Sequence, residues 1–127
     1  MNAQNSPATP KEIRVSKDKR NLIVSFEKGE AYTLEAELLR VRSPSAEVQG
    51  HSPEQRVLVH GKRNVEIMSV EPIGNYAIKI GFDDMHDTGI FMWSFLAELG
   101  EHKKERWAEY EQELSDAGKT RDPFIVK

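Results

Sequence analysis

The chain is 127 residues long, 38% apolar and 31% charged, with a formal net charge of -3. That length suits one domain with a modest core. No run approaches the roughly 18 apolar residues of a membrane-spanning helix, and the lack of cysteine excludes disulfides, thiolate metal sites and a cysteine nucleophile.

Residues 1–10 are polar, carry Pro7 and Pro10, and read as a loose tail. They show no basic-then-apolar leader pattern, so a cytoplasmic protein is expected. Ile13 and Val15 alternate with Glu12, Arg14 and Ser16, a half-buried strand. Lys17 to Asn21 turn the chain. Leu22, Val24 and Phe26 then share one strand face, and Gly29 suits a second turn because it takes positive φ without steric cost. Residues 31–34 return as a third strand. Leu34, Leu38 and Val41 fall on one face of a short helix over 35–41, which ends before Ser43-Pro44.

Residues 43–53 have no hydrophobic period and read as a long polar loop of the kind that carries function. Val57 to Val59 form an apolar patch before Gly61. Val65, Ile67 and Ser69 alternate with Glu66, Met68 and Val70, and a turn at 72–75 leads into Tyr76, Ile78, Ile80 and Phe82, a clear hairpin pattern. A turn at 83–87 precedes a last short strand at 88–90. From Phe91 the period becomes helical: Met92, Phe95, Leu96 and Leu99 form a stripe, which Trp107, Tyr110 and Leu114 continue. Gly100 predicts either one weakened long helix or two segments bending there. The fold class is therefore α+β: small antiparallel sheets of about six strands, a short helix after the third strand and a longer C-terminal helix. The organisation reads as a tail (1–10), a domain (11–100), an acidic helical extension (101–117) and a second tail (118–127) with an apolar knot at 124–126.

The charge surplus sits in the extension. Residues 101–116 hold six acids and three bases, and the rest of the chain balances. Nucleic-acid binders carry a basic surplus, because phosphate neutralisation supplies much of their affinity. Neither a nucleic-acid partner nor a membrane partner is expected. Asp83, Asp84, His86 and Asp87 crowd one turn. They either hold a divalent metal or stabilise the turn through backbone N–H bonds. His51 joins them if the long loop folds over. Within that loop Ser43, Ser45 and Gln49 are candidates for contact with a partner, against a loop that only covers the sheet. Trp107 and Tyr110 lie on the charged extension and are candidates for an interface, against packing back on the sheet. Glu98 and His102, four apart, suit a helical pair. No Ser-His-Asp triad, P-loop or carboxylate pair is readable from spacing.

Four stretches carry a resemblance: Leu38-Leu39-Arg40-Val41-Arg42-Ser43-Pro44-Ser45-Ala46-Glu47-Val48-Gln49-Gly50-His51, Val70-Glu71-Pro72-Ile73-Gly74-Asn75-Tyr76-Ala77, Phe82-Asp83-Asp84-Met85-His86-Asp87-Thr88-Gly89-Ile90, and Trp93 through Gly100. They resemble the gamma-butyrobetaine hydroxylase-like N-terminal domain over about residues 11–100. The resemblance implies a small α+β domain that occurs alone in bacteria, ahead of an oxygenase domain in hydroxylases, or appended to iron–sulfur carriers. It also implies a zinc site in the hydroxylases, built from three cysteines after a Leu-Arg pair and one histidine. On this chain the histidine position is His86, and the cysteine positions fall near Ser43, Ser45 and Val48, which are poor zinc ligands. The oxygenase's iron-binding domain is not present in the sequence, so no enzyme is expected. The reading is a non-catalytic interaction domain with a protein partner, in a setting of metal or iron–sulfur biology. The alternative is a module that binds zinc or iron at His86.

Overall fold

In the computed structural model, which describes residues 9–124, six strands and four α-helices follow the chain. The strands β1 (Pro10–Val15), β2 (Asn21–Phe26) and β3 (Ala31–Glu35) form one antiparallel sheet in that order. The strands β4 (Ile67–Ile73), β5 (Ala77–Phe82) and β6 (Gly89–Met92) form a second. The first eight residues of the expected tail, and Ile125 and Val126 of the knot, lie outside the described residues. Pro10 belongs to β1 and not to the tail.

The inner face of the first sheet is set by the alternation of β2. Leu22 pairs with Val15 and Leu34, and Val24 pairs with Ile13 and Tyr32. Leu22, Val24 and Leu34 are fully buried. The second sheet contributes Ile78, Ile80, Phe82 and Phe91 to the same core, with Leu38, Leu39, Leu96 and Leu99 from the helices. In β4 the expected alternation is broken. The register shifts between Ile67 and Ser69, so Ile67 points into the core, Met68 is exposed, and Val70 regains the inner side. A bulge inserts one residue, and period two cannot survive it. β4 also runs on through Ile73, so the turn is shorter than expected.

Helix α1 (Ala36–Val41) buries Ala36, Leu38, Leu39 and Val41. The polar loop is not structureless. It contains a short helix α2 (Ala46–Gln49), capped by the Ser45 hydroxyl accepting from the Glu47 N–H, and a 3-10 turn at Pro53–Gln55. Gly50, at φ +69°, has no room for a side chain: a Cβ there would sit 2.5 Å from the Gln55 Cβ. The C-terminal helix begins later than the apolar stripe suggested, because Phe91 and Met92 are strand residues. Phe91 is buried and Met92 faces out.

Two helices follow, α3 (Trp93–Glu101) and α4 (Lys103–Ala117), separated at His102. Gly100 is needed for packing rather than for bending, since a Cβ there would run into the Tyr32 ring. Helix α4 docks on the domain. Tyr110 and Leu114 pack against Val41, with Leu58, Val59 and Trp107 alongside. The stretch after Gly118 is also tied down. The Arg121 guanidinium donates from Nε and Nη2 to the buried Glu37 carboxylate (2.8 and 2.7 Å) and lies 4.9 Å from the Trp107 ring centroid. Gly61 N–H donates to Thr120 O, and Arg63 N–H to Arg121 O.

Candidate functional site

Two features stand where the long loop meets the rest of the molecule. One is a buried polar cluster beneath it, and the other is an open groove beside it.

The cluster centres on His86, which is 4% exposed in the turn between β5 and β6. Its Nδ1 lies 2.9 Å from Glu47 Oε1 on α2, and its Nε2 lies 2.9 Å from Ser43 Oγ. Burial first, then the nearby Arg40 charge, lowers the His86 pKa below the usual imidazole value. The neutral ring with its proton on Nδ1 fits both bonds. Nδ1–H donates to Glu47, and the Ser43 hydroxyl donates to Nε2. Ser43 Oγ also accepts from Ser45 N–H (3.3 Å), the Ser45 and Thr88 hydroxyls are 2.6 Å apart, and Gln49 Nε2 donates to Ser43 O (2.9 Å). Gly89 lies so close that a Cβ there would strike Ser43 Oγ. His86, Ser43, Ser45 and Gln49 therefore belong to one network.

The acids of the turn serve elsewhere. Asp84 bonds Arg40 Nε (2.7 Å) and Lys62 Nζ (2.6 Å), and accepts from His86 N–H. Burial opposes its ionisation, but Lys62 and Arg40 outweigh it and hold the carboxyl below the ordinary range. Asp83 accepts from Glu66 N–H. Asp87 is exposed, and His51 is an exposed loop residue whose N–H bonds Gln55. Among the described residues, no three His, Cys, Asp or Glu side chains gather as metal ligands do. At the positions where the resemblance implies cysteines, the neutral Ser43 hydroxyl bonds His86 and accepts from Ser45 N–H, the Ser45 hydroxyl bonds Thr88, and Val48 is 2% exposed in the core. This donor set does not fit zinc or iron.

Hydrogen bonding runs in the order Ser43, His86, Glu47, the order of a nucleophile, base and acid. Sequence spacing did not show it. Ser43 is 0% exposed, however, so its hydroxyl has no open face for a substrate carbonyl.

The groove has a volume of about 410 Å³. Arg42, Pro44, Gln49 and Arg56 form one wall. Phe95, Leu99, Glu98, Arg106 and Glu109, from α3 and α4, form the other. Arg106 bonds Glu98 (2.6 Å) and Glu109 (2.8 Å), and Arg56 bonds Glu113 (2.9 Å). Glu98 thus pairs with Arg106, not with His102, although the His102 N–H closes the last turn of α3 on Glu98 O. His102 sits within 3.5 Å of Glu101 and Glu105. Arg42 is poorly matched. Its closest acceptors are Arg106 O at 3.4 Å, Glu113 at 3.5 Å and Glu109 at 3.8 Å, and its Nε is buried without a partner.

Of the sequence candidates for partner contact, Gln49 alone lines the groove. Ser43 and Ser45 are buried and do not line it. Tyr110 is 1% exposed and donates its hydroxyl to Val59 O (2.8 Å), and burial pushes its pKa up to about 12. Trp107 is half-buried and its indole N–H donates to Glu35. Neither aromatic stands out as a free contact. The three arginines were missed: they lie far apart in sequence, and only the docked helices bring them together.

The gamma-butyrobetaine hydroxylase-like N-terminal family profile matches residues 13–97. The chain belongs to this family. It is also similar to two proteins with NMR solution structures. One is 47% identical over 95% of each chain, with TM-score 0.80. The other is 41% identical over all of this chain and 95% of that one, also with TM-score 0.80. A crystal structure of a protein of unknown function in the DUF971 family, from Acidithiobacillus ferrooxidans, is 32% identical over 79% of this chain and 98% of that one, with TM-score 0.61. No curated protein matches. Among the described residues no helix is long and apolar enough to cross a membrane.

Proposed function

We propose that this family member is a non-catalytic binding module whose contact surface is the groove between the 42–56 segment and helices α3 and α4. One observation carries the reading. Three guanidinium groups, Arg42, Arg56 and Arg106, converge beside the apolar Pro44, Phe95 and Leu99 in an open groove, while the one nucleophile–base pair in the neighbourhood is enclosed. Loops placed by a rigid scaffold commonly carry binding, and arginine beside apolar surface is a common contact chemistry. The partner is a protein, and zinc or iron has no role at His86 in this reading.

The test places the photo-crosslinker benzoylphenylalanine at Glu98, on the groove, and separately at Glu27, in the exposed turn between β2 and β3. Irradiation in the cells the protein comes from should give a discrete adduct from position 98 and none from 27. Equal labelling from both sites, or none from 98, overturns the reading.

A further inference from the structure

Each three-stranded sheet has two edges, and an open edge is a row of unpaired N–H and C=O groups ready to accept another strand. Three of the four edges are blunted. β1 starts at Pro10, which has no N–H, shifts register between Pro10 and Glu12, and exposes Lys11, Glu12 and Arg14. β3 is closed from the side by helix α4, where Lys103 Nζ donates to Thr33 O (2.8 Å). β4 carries Pro72 and the shifted register at Met68, and its Ile67 N–H is spent on Lys19 O.

β6 has none of these devices. It holds no proline and no charge, and its register on β5 is unbroken. Trp93 N–H donates to Tyr76 O (3.2 Å), and opposed residues in an antiparallel ladder alternate between bonded and unbonded pairs. Phe91 and Gly89 therefore spend their backbone groups on β5, and the N–H and C=O of Ile90 point away from it. Among the described residues nothing hydrogen-bonds them. The side chains around this edge are apolar and open: Ile90 is 43% exposed, and Met92 and Tyr76 are each 49% exposed.

Charge and symmetry decide what fits. A two-fold axis sets an edge against itself, so a charged edge repels its own copy. β6 carries no charge to repel. The nearest is Lys79, opposite Ile90 on β5, and it is paired with Glu71 (3.4 Å). With Ile90 facing Ile90 of a second copy, the two Lys79 stand three strand spacings apart, about 14 Å, beyond the screening length of about 8 Å at physiological salt. The two Ile90 residues then exchange both N–H···O=C bonds, and their side chains make an aliphatic cross-strand pair.

We infer that β6 pairs antiparallel with β6 of a second copy of this chain, about a two-fold axis at Ile90, giving a sheet of order β4-β5-β6-β6-β5-β4. The site lies on the sheet edge and is independent of the groove. A four-residue edge covers far less than the roughly 800 Å² per partner of a stable interface, so the association is weak and belongs to high protein concentration.

The experiment is sedimentation velocity of the full chain from micromolar to millimolar concentration, with amide NMR spectra at both ends. The sedimentation coefficient should rise with concentration, and the amides that move should be those of residues 88–93 and their neighbours on β5. Ile90→Lys sets like charges against each other across the axis and should stay monomeric throughout, with a dispersed spectrum. Ile90→Glu should do the same. Mixing the two variants sets unlike charges across the axis and should restore association. Ala31→Lys, the same added charge on an exposed residue of the other sheet, should associate as the unchanged chain does. A chain that is monomeric at every concentration overturns the inference, and a benzoylphenylalanine at Met92 that then joins a different protein in cells assigns the edge to a foreign strand. Association untouched by Ile90→Lys, amide shifts confined to other segments, or a mixture of the two variants that stays monomeric overturns it as well. None of these results changes the reading of the crosslink from position 98.

Discussion

Replacing Ser43 with alanine removes one hydroxyl from the most enclosed polar site in the fold. The His86 side chain is 3% exposed and each ring nitrogen has one partner at 2.9 Å. Ser43→Ala leaves Nε2 with no donor where water cannot reach it. An unsatisfied buried group of this kind costs about 1–3 kcal/mol. The lost acceptor for Ser45 N–H adds little, because that bond is already long at 3.3 Å. Against a total stability of roughly 5–15 kcal/mol for a domain, the loss is readily measured by urea unfolding followed through tryptophan fluorescence. A cycle with His86→Ala should return a coupling of about 1 kcal/mol or more. The same ring sets a pH signature. Its folded pKa is lowered, so between the unfolded value near 6.5 and the folded one the unfolded chain binds more protons. Stability therefore rises with pH across that window, by up to about 1.4 kcal/mol per unit from this group, and is lost as pH falls. His86→Ala should flatten the slope. A Ser43→Ala cost under about 0.5 kcal/mol with no coupling, or a slope unchanged without His86, refutes the network as described.

Gly100→Ala should destabilise by about 1–3 kcal/mol, despite better helix propensity, because the Tyr32 ring occupies the space; a neutral or stabilising result in urea unfolding would contradict that packing. Arg121→Ala should cost about 1.5–3 kcal/mol by stranding the Glu37 carboxylate, and Arg121→Lys should recover only part of it in a thermal melt. Untagged protein from zinc-supplemented medium should carry far less than one equivalent of zinc by mass spectrometry of its metals. A stoichiometric, tightly held ion bound through His86 would reverse the account of the cluster.

The two sheets and the helix after β3 were legible because period two and period 3.6 are local signals. Leu22, Val24 and Leu34, or Ile78 and Ile80, declare their faces within a few residues. The bulge at Met68 was not legible, since nothing in Ile67-Met68-Ser69 marks an inserted residue. Gly100 read as a weak point of a helix. Its real constraint is an aromatic ring 68 positions earlier in the chain, which no local window contains. Trp107 and Tyr110 looked hard to bury on a charged helix, yet Val41, Leu58 and Val59 provide their seat. The candidate site divides in the same way. His86, Ser43 and Ser45 were named, but their mutual bonding, the diversion of Asp84 to Arg40 and Lys62, and the arginine groove all depend on contacts between distant segments.

The strand order 1-2-3 and 4-5-6 means that every pairing joins immediate successors. Each sheet can zip from its own hairpins over short closures, and no strand waits for a partner from the other half. What joins the two halves is then the seam between the sheets, at contacts such as Ile67 N–H to Lys19 O. Substitutions at that seam should slow refolding, and those within a hairpin turn should chiefly change how fast each ribbon forms.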